Sequence, residues 1–361
     1  LTQNRDPAYH PRCGAPCLRG GVTDTSRTIQ EDTDMAVTIG INGFGRIGRY
    51  LTRLVADDPD ITLAAINARA DNAQLAHLLK YDSVHGRFGG TVEPTEEGLN
   101  INGNPVAITR YSGGEWRWGD YGCRYVIETT GKFVDRESCE KHMAAGAEKV
   151  IISAPGKNED VTIVMGVNDQ ELTPGHRIIS NASCTTNCLA PIAKAVHDAF
   201  GIKHGLMTTI HSYTMSQRIL DGSHKDWRRG RACALSMIPT TTGAARAVTK
   251  VIPALAGRLD GMSIRVPTPN VSLVDFSCEL EKPTDTAGLL AVLKAASGDN
   301  LGYTDEPLVS IDFTGDTHGG VVDAKASQVL DGTLAKILAW YDNEAGFTNQ
   351  LVRLIKRVAI L

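Results

Sequence analysis

No uninterrupted apolar run approaches the roughly 18 residues that a membrane-spanning helix requires, so the sequence predicts no such span. Neither sign of charge dominates. Lys and Arg number 37 against 41 Asp and Glu, a net charge of −4, which excludes a polybasic nucleic-acid binder and an acidic tail. Cysteine is sparse, eight in 361 residues with no framework spacing. That usage predicts reduced thiols in a reducing compartment rather than a disulfide scaffold, and a cytoplasmic location. Internal repeats and low-complexity tracts are absent.

Residues 1–34 lack apolar periodicity and an apolar h-region, and their four Arg are accompanied by five acids and one Ser. A secretory signal is excluded and a transit peptide disfavoured. The composition predicts a disordered extension, or a stretch upstream of the true start at Met35. Cys13 and Cys17 fall inside it with no second ligand pair nearby, so zinc is not expected.

What is present is ordinary globular material, 42% hydrophobic and 22% charged, long enough for two domains with real cores. From Met35 on, strand and helix signals alternate: a β-branched run at 37–42, a helix at 47–56, a strand at 61–67, and Asp71 placed to cap a helix through Lys80. Asn102-Gly103 marks a hairpin within 99–109. Strands at 125–128, 149–153, 161–167 and 177–181, with a helix at 136–145, complete a doubly wound α/β sheet. Beyond Cys184 the texture changes. A helix at 185–200 precedes strands at 206–212, 262–266, 271–280, 307–313, 320–326 and 334–341, with one helix near 287–296, which predicts a mixed-sheet α+β unit. In the tail, Leu351, Leu354, Ile355 and Val358 share one helical face.

Gly43-Phe44-Gly45-Arg46-Ile47-Gly48 follows a strand and opens a helix, the setting in which glycines at this spacing bind a dinucleotide. Gly43 permits the turn, Gly45 lets a pyrophosphate approach the backbone, and Gly48 lets helix and sheet pack closely. The acid expected about 20 residues later, to hold the ribose 2′-hydroxyl, is missing: the position is Ala68, followed by Arg69. Either Asp71 serves the ribose and Arg69 is a surface charge, or the pocket accepts the 2′-phosphate of NADP.

Ser183-Cys184-Thr185-Thr186-Asn187-Cys188 lies at a strand end and a helix start. A thiol there feels a positive potential that favours thiolate, making Cys184 a candidate nucleophile and the deeper Cys188 a small buried hydrophobe. His211, ending a later strand, is its candidate partner. A dinucleotide site, a thiolate and an imidazole together point to hydride transfer through a thiohemiacetal and a thioester. Cations at Arg218, Lys225, Arg228, Arg229, Arg231, Arg246 and Arg265, and the hydroxyl-rich 239–243 segment, suit a phosphorylated substrate as well as a solvated face.

These motifs, with 75–83, His211-Ser-Tyr-Thr214, Thr242-Gly-Ala-Ala245, Arg265-Val-Pro-Thr-Pro-Asn270 and Trp340-Tyr-Asp-Asn-Glu344, resemble the phosphorylating glyceraldehyde-3-phosphate dehydrogenases over essentially 35–361. The resemblance implies Cys184 as nucleophile and His211 as its base. It implies the substrate's C3 phosphate near Thr214 and Arg265, with Arg229 contributing, and the attacking phosphate near Ser183, Thr185, Thr242 and Gly243. For the cofactor it implies Phe44, Gly45, Arg46 and Ile47 at the pyrophosphate, Arg110, Thr130 and Ser153 along its length, and Asn343 at the nicotinamide amide. A dinucleotide-binding domain at 35–183, with the 345–361 helix packed back on it, and a catalytic domain at 184–344 follow from the same likeness. So does a homotetramer in which the 218–231 loop meets a neighbour's cofactor.

Four departures stand out. Asn67-Ala68-Arg69 and Gly222-Ser223 replace Asn-Asp-Leu and Leu-Pro of the NAD-specific members, as room for a 2′-phosphate requires. Arg246 replaces a lysine and Phe347 a tyrosine. Dual cofactor use with NADP favoured is therefore expected. The alternatives are an erythrose-4-phosphate dehydrogenase, against which His211-Ser-Tyr-Thr214 and the Thr242 loop argue, and a dinucleotide-sensing scaffold or nucleic-acid binder. The intact Cys184 and His211 argue against a scaffold, and the charge of −4 argues against nucleic acid.

Overall fold

In the computed structural model, which describes residues 36–361, Val37–Asn42 pairs in parallel with Ile61–Asn67 on one side and Tyr125–Glu128 on the other. The expected extension at 1–34, with Cys13 and Cys17, lies outside the described residues. The sheet grows through Lys149–Ile152, Ile178–Ser180 and Val161–Thr162 at one edge. At the other, Asn104–Thr109 joins in parallel and the antiparallel strands Gly98–Ile101 and Val92–Pro94 complete nine. The chain builds outward first through Ile61–Asn67, then returns beside Val37–Asn42 as Tyr125–Glu128. That reversal opens a crevice at the carboxyl ends of these strands.

Ile39, Ile41, Ile66 and Ile127 form the core of this sheet together with Leu351, Leu354, Ile355 and Val358. The apolar face expected of the tail is thus the buried face of the helix Ala345–Ala359. The second sheet has seven strands of mixed direction, with Ile202–Ser212 between Leu259–Val266, parallel to it, and Ser272–Leu280, antiparallel. The helix Cys184–Phe200 lays Leu189, Ile192 and Val196 against Val274, Phe276 and Ile337. Full burial of each such side chain is worth roughly 1.5–3 kcal/mol, which anchors the helix whose first turn carries Cys184.

Two expected strands fail for local reasons. Within 161–167 only Val161–Thr162 pairs, because the Asn168 side chain accepts from Val164 N at 3.0 Å and donates to Thr162 O at 3.0 Å, turning the chain. Within 307–313 the structure has a 3₁₀ turn, Ser310–Phe313, entered where Val309 N donates to the Asp312 carboxylate at 2.8 Å. The strands Ile238–Thr241 and Leu301–Thr304 and the helix Ala244–Val251 were not expected. Each is too short for periodicity to declare it.

Candidate active site

Gly43 takes φ +103°, and a Cβ there would stand 2.8 Å from the Thr130 methyl. A Cβ on Gly48 would lie 2.3 Å from Gly43 O, so helix and turn touch through hydrogen alone. At Gly45 the same atom would meet nothing within 4 Å. Gly45 is the N-cap of Arg46–Val55, so the helix's first N–H groups face an open approach suited to a diphosphate. Gly43 and Gly48 thus make the turn and the close packing expected of them, and Gly45 leaves the approach open.

The Arg46 side chain is engaged within the protein. Its guanidinium is clamped by Asp82, at 2.5 and 3.0 Å, and by Glu344, at 2.7 and 2.5 Å. It is therefore not offered to a pyrophosphate, to which only the main chain remains. The clamp outweighs burial and raises the Arg46 pKa, while Asp82 is held well below the usual carboxylate range by Arg46 and by the N–H groups of Val84 and His85, against the opposing effect of burial. Glu344 follows Asn343, so this ion pair ties the dinucleotide loop to Asn343.

Asn343 Oδ1 accepts from Ser212 Oγ at 2.7 Å and Ser272 Oγ at 2.9 Å. Two hydroxyl donors fix the amide, so Nδ2 faces away from them as a donor for a carboxamide carbonyl. Thr130 and Ser153 line the strand ends, with Ser153 Oγ donating to Glu128 O at 2.9 Å. Phe44 and Phe347 are buried.

Ser183 caps Cys184–Phe200, its Oγ accepting from Thr186 N at 3.1 Å, so Cys184 is the first helical residue. Ala182, just before it, holds φ +56°. Such strain, of order 1–3 kcal/mol, persists where surrounding structure over-determines the backbone. Cys184 Sγ lies 3.5 Å from His211 Nε2. His211 Nδ1 is 2.7 Å from Ser212 O and 2.8 Å from Arg265 Nη1, which itself reaches Ser212 O at 3.1 Å. Nδ1 thus lies between an acceptor, Ser212 O, and a donor, Arg265 Nη1; the tautomer whose Nδ1–H faces Ser212 O leaves Nε2 able to take the thiol proton.

Burial opposes the helix-terminal field at Cys184. Burial pushes the Cys184 thiol up, against the pull of Arg265, the Thr185 hydroxyl and the Thr185 and Cys184 N–H groups. Burial, then Arg265 and Arg229, pushes His211 down to about 3. Either charge alone is disfavoured. Formed together at this separation they compensate, and the two groups titrate as a pair. Cys188 is fully buried, pushed up by desolvation, and remote from a base.

Of the residues expected around phosphate, Thr242 and Gly243 lead into Ala244–Val251, whose start meets the first turn of the Cys184 helix where Thr186 Oγ1 approaches Ala244 O at 3.4 Å. Ser183 and Thr242 thus stand at two adjoining helix N-termini, an arrangement that suits an anion. Thr185 is buried, with its hydroxyl 2.8 Å from Tyr341 Oη, so its side chain is engaged inward. Thr214 Oγ1 lies 2.9 Å from Ser216 Oγ. Arg229 donates to Thr240 Oγ1 at 2.9 Å, and Arg246 pairs with Asp260 at 3.0 Å on the surface.

At the far end of the crevice Ala68 is buried and Arg69 exposed. Arg110 donates to Ala70 O at 2.8 Å and Asn72 Oδ1 at 2.7 Å, beside it. Asp71 Oδ1 accepts from Gln74 N at 2.8 Å as a helix cap. Sequence reasoning missed Asp82, Glu344, Ser212, Ser272 and Tyr341 as supports of the site. They act across separations as long as the 298 residues between Arg46 and Glu344, and no local signal announces such pairs.

A doubly wound sheet with a glycine turn at its switch point, facing a cysteine–histidine pair on a second sheet, defines a dinucleotide-dependent dehydrogenase that works through a thiol. Residues 37–136 match the family model of the glyceraldehyde 3-phosphate dehydrogenase NAD binding domain, and residues 183–343 that of the C-terminal domain. The chain is 53% identical over 331 residues to the glyceraldehyde-3-phosphate dehydrogenase of Geobacillus stearothermophilus, covering 90% of this chain and 99% of the relative. It is 50% identical to glyceraldehyde-3-phosphate dehydrogenase 1 of Bacillus subtilis over the same shares, and 48% identical to that of Streptomyces coelicolor over 89% and 98%. The chain belongs to the glyceraldehyde-3-phosphate dehydrogenase family. Among the described residues no helix is long and apolar enough to cross a membrane.

Proposed function

We propose that this chain converts D-glyceraldehyde 3-phosphate, inorganic phosphate and an oxidised nicotinamide dinucleotide to 1,3-bisphosphoglycerate, and the reverse, with NADP preferred and NAD also used. The observation that carries the chemistry is the 3.5 Å contact of Cys184 Sγ with His211 Nε2 at a helix N-terminus. His211 takes the thiol proton as sulfur bonds to the aldehyde carbon, returns it to the new oxygen, and accepts it again as that oxygen becomes a carbonyl. The bound nicotinamide supplies the hydride acceptor. Inorganic phosphate then attacks the thioester carbon, the C–S bond breaks, and the thiolate is restored as the acyl phosphate leaves.

In this reading Arg265 and Thr214, helped by Arg229, hold the C3 phosphate. Its negative charge offsets the guanidinium that opposes an imidazolium at His211. Ser183, Thr242, Gly243 and the Thr185 N–H receive the attacking phosphate. The main chain of Gly43, Phe44, Gly45, Arg46 and Ile47 holds the pyrophosphate, Thr130 and Ser153 flank the cofactor, and Asn343 Nδ2 orients the nicotinamide amide. The division into 35–183 and 184–344, with the 345–361 helix on the first part, belongs to the same reading, as does a cytoplasmic location. A homotetramer is supported by the large apolar side chains left exposed along one segment: Met215, Ile219, Leu220, Trp227, Leu235 and Met237.

NADP preference is supported by Ala68, which removes a charge that would repel a 2′-phosphate, by the neighbouring cations Arg69 and Arg110, and by Asp71 being engaged as a cap. The determining experiment is paired initial rates with NAD and NADP at saturating glyceraldehyde 3-phosphate and phosphate. Ala68→Asp with Ser223→Pro should swing the kcat/KM ratio toward NAD by about tenfold or more, about 1.4 kcal/mol. An unmutated protein with an NAD kcat/KM well above that for NADP refutes the preference. The erythrose-4-phosphate and scaffold readings gain nothing from the relatives, which carry the glyceraldehyde-3-phosphate name.

A further inference from the structure

Beneath the dinucleotide crevice lies a carboxylate that the chemistry above does not use. Glu128, at the end of its strand, is fully buried, and no Lys or Arg pairs with it among the described residues. Its Oε2 accepts from Asn42 Nδ2 at 2.5 Å, and its Oε1 from Thr130 N at 2.7 Å and from the Thr130 hydroxyl. The fourth neighbour is His142 Nε2, 3.3 Å from Oε2 and equally buried.

The protonation of His142 follows from its other side. Trp118 Nε1 lies 3.0 Å from His142 Nδ1, and an indole N–H only donates. Nδ1 must therefore accept and Nε2 must carry the hydrogen; Nε2 stands 3.3 Å from Glu128 Oε2 but outside hydrogen-bond geometry, a polar neighbour with no other partner. Trp116, stacked on the imidazole at 3.7 Å, and Phe133 at its edge fix the ring plane. Asn42 and Thr130 supply the hydrogen bonds that satisfy the carboxylate, and the His142 N–H lies beside it, so buried polar groups here are tolerable.

Orientation then passes outward. A carboxylate only accepts, so Asn42 must give it Nδ2 and turn Oδ1 the other way, where Asn67 Nδ2 donates at 2.9 Å. With Nδ2 so committed, Asn67 Oδ1 accepts from Tyr111 N at 2.9 Å and Thr109 Oγ1 at 3.0 Å. Asn42 immediately precedes Gly43, Asn67 precedes Ala68 and Arg69, and Thr109 precedes Arg110. One acceptor-only group therefore sets the amide directions at two strand ends and, through Asn67, engages the Thr109 hydroxyl at a third, and these ends carry the cradle from pyrophosphate turn to adenosine end.

We propose that Glu128 and His142 are positioning residues of the dinucleotide cradle, with His142 flanking the carboxylate that orders Asn42, Asn67 and Thr130. This rests on the dinucleotide-binding reading above, and its role is direction rather than attraction, since the ligand is itself an anion.

The test is titration of NADP and NAD by calorimetry into the full chain and three variants. Glu128→Gln puts an NH₂ among donors, and should weaken both dinucleotides about tenfold or more. His142→Phe keeps ring stacking without hydrogen bonds, and should weaken them comparably. His142→Gln offers an acceptor to Trp118 and a donor to Glu128, and should restore affinity to within about threefold of the parent. Iodoacetamide reaction of Cys184 without dinucleotide should be unchanged throughout, reporting an intact catalytic pair. Parent-like binding by Glu128→Gln, or equal losses in His142→Gln and His142→Phe, overturns the proposal. If Glu128→Gln does not accumulate folded, the two His142 variants decide. A parent chain that binds neither dinucleotide refutes the functional reading instead.

Discussion

Replacing His211 with Asn removes the acceptor for the Cys184 proton. The ring is 3.5 Å from the sulfur. Opposite unit charges at about that distance attract by roughly 4 kcal/mol at an effective dielectric of 20, worth about three pKa units before solvent screening. Without the imidazolium, only the forces on the isolated thiol remain, and burial pushes it up. Above an ordinary thiol value of about 8.5, no more than roughly 3% of Cys184 is thiolate at pH 7. Iodoacetamide alkylation of Cys184 at pH 7 should therefore slow by about tenfold or more in His211→Asn, and the two rates should converge above about pH 9. The sign is fixed: the variant's profile moves to higher pH. Stopped alkylation time courses from pH 5 to 10, with the modified thiol located by peptide mass, measure it. Turnover should fall by roughly 10²–10⁴, as for a lost acid–base group, with dinucleotide affinity retained. Superimposable alkylation profiles would refute the pairing of His211 with Cys184.

Cys184→Ser should abolish acyl-enzyme formation, whereas Cys188→Ser should retain most turnover, its sulfur being buried away from any base; equal losses in a burst assay contradict the assignment. Gly45→Ala adds a methyl to open space, so its melting temperature should hold while the dissociation constant for NADP rises about tenfold. Gly48→Ala drives the same methyl to 2.3 Å from Gly43 O and should lower both stability and binding. Arg46→Met leaves the Asp82 and Glu344 carboxylates, both largely buried, without their cation. Losing one partner of such a cluster costs about 2–4 kcal/mol, somewhat under the fully buried figure because Arg46 is partly exposed. Asp82 is held low when folded, so its contribution is present above the unfolded carboxylate value near 3.9 and lost as pH falls below it. The urea-unfolding deficit of the variant should accordingly shrink below about pH 4.

The sequence by itself determined whatever depends on neighbours along the chain. The glycine turn was legible because Gly43, Gly45 and Gly48 answer to one backbone path, and the strand at 61–67 and the Asp71 cap because periodicity and capping are local. The candidate nucleophile was legible because a strand end, Ser183 and a helix start fall within a few residues. Where a side chain intervenes in the ladder, as Asn168 does after Thr162, apolar pattern alone misleads. Tertiary structure alone decided that the Arg46 guanidinium serves Glu344 and Asp82 rather than a ligand, and that Ser212 and Ser272 aim Asn343. It also brought the Cys184 thiol against the His211 imidazole in a buried setting and set a buried carboxylate beneath the strand ends. Each of these is a contact between distant segments or a consequence of burial, and local periodicity carries no record of either.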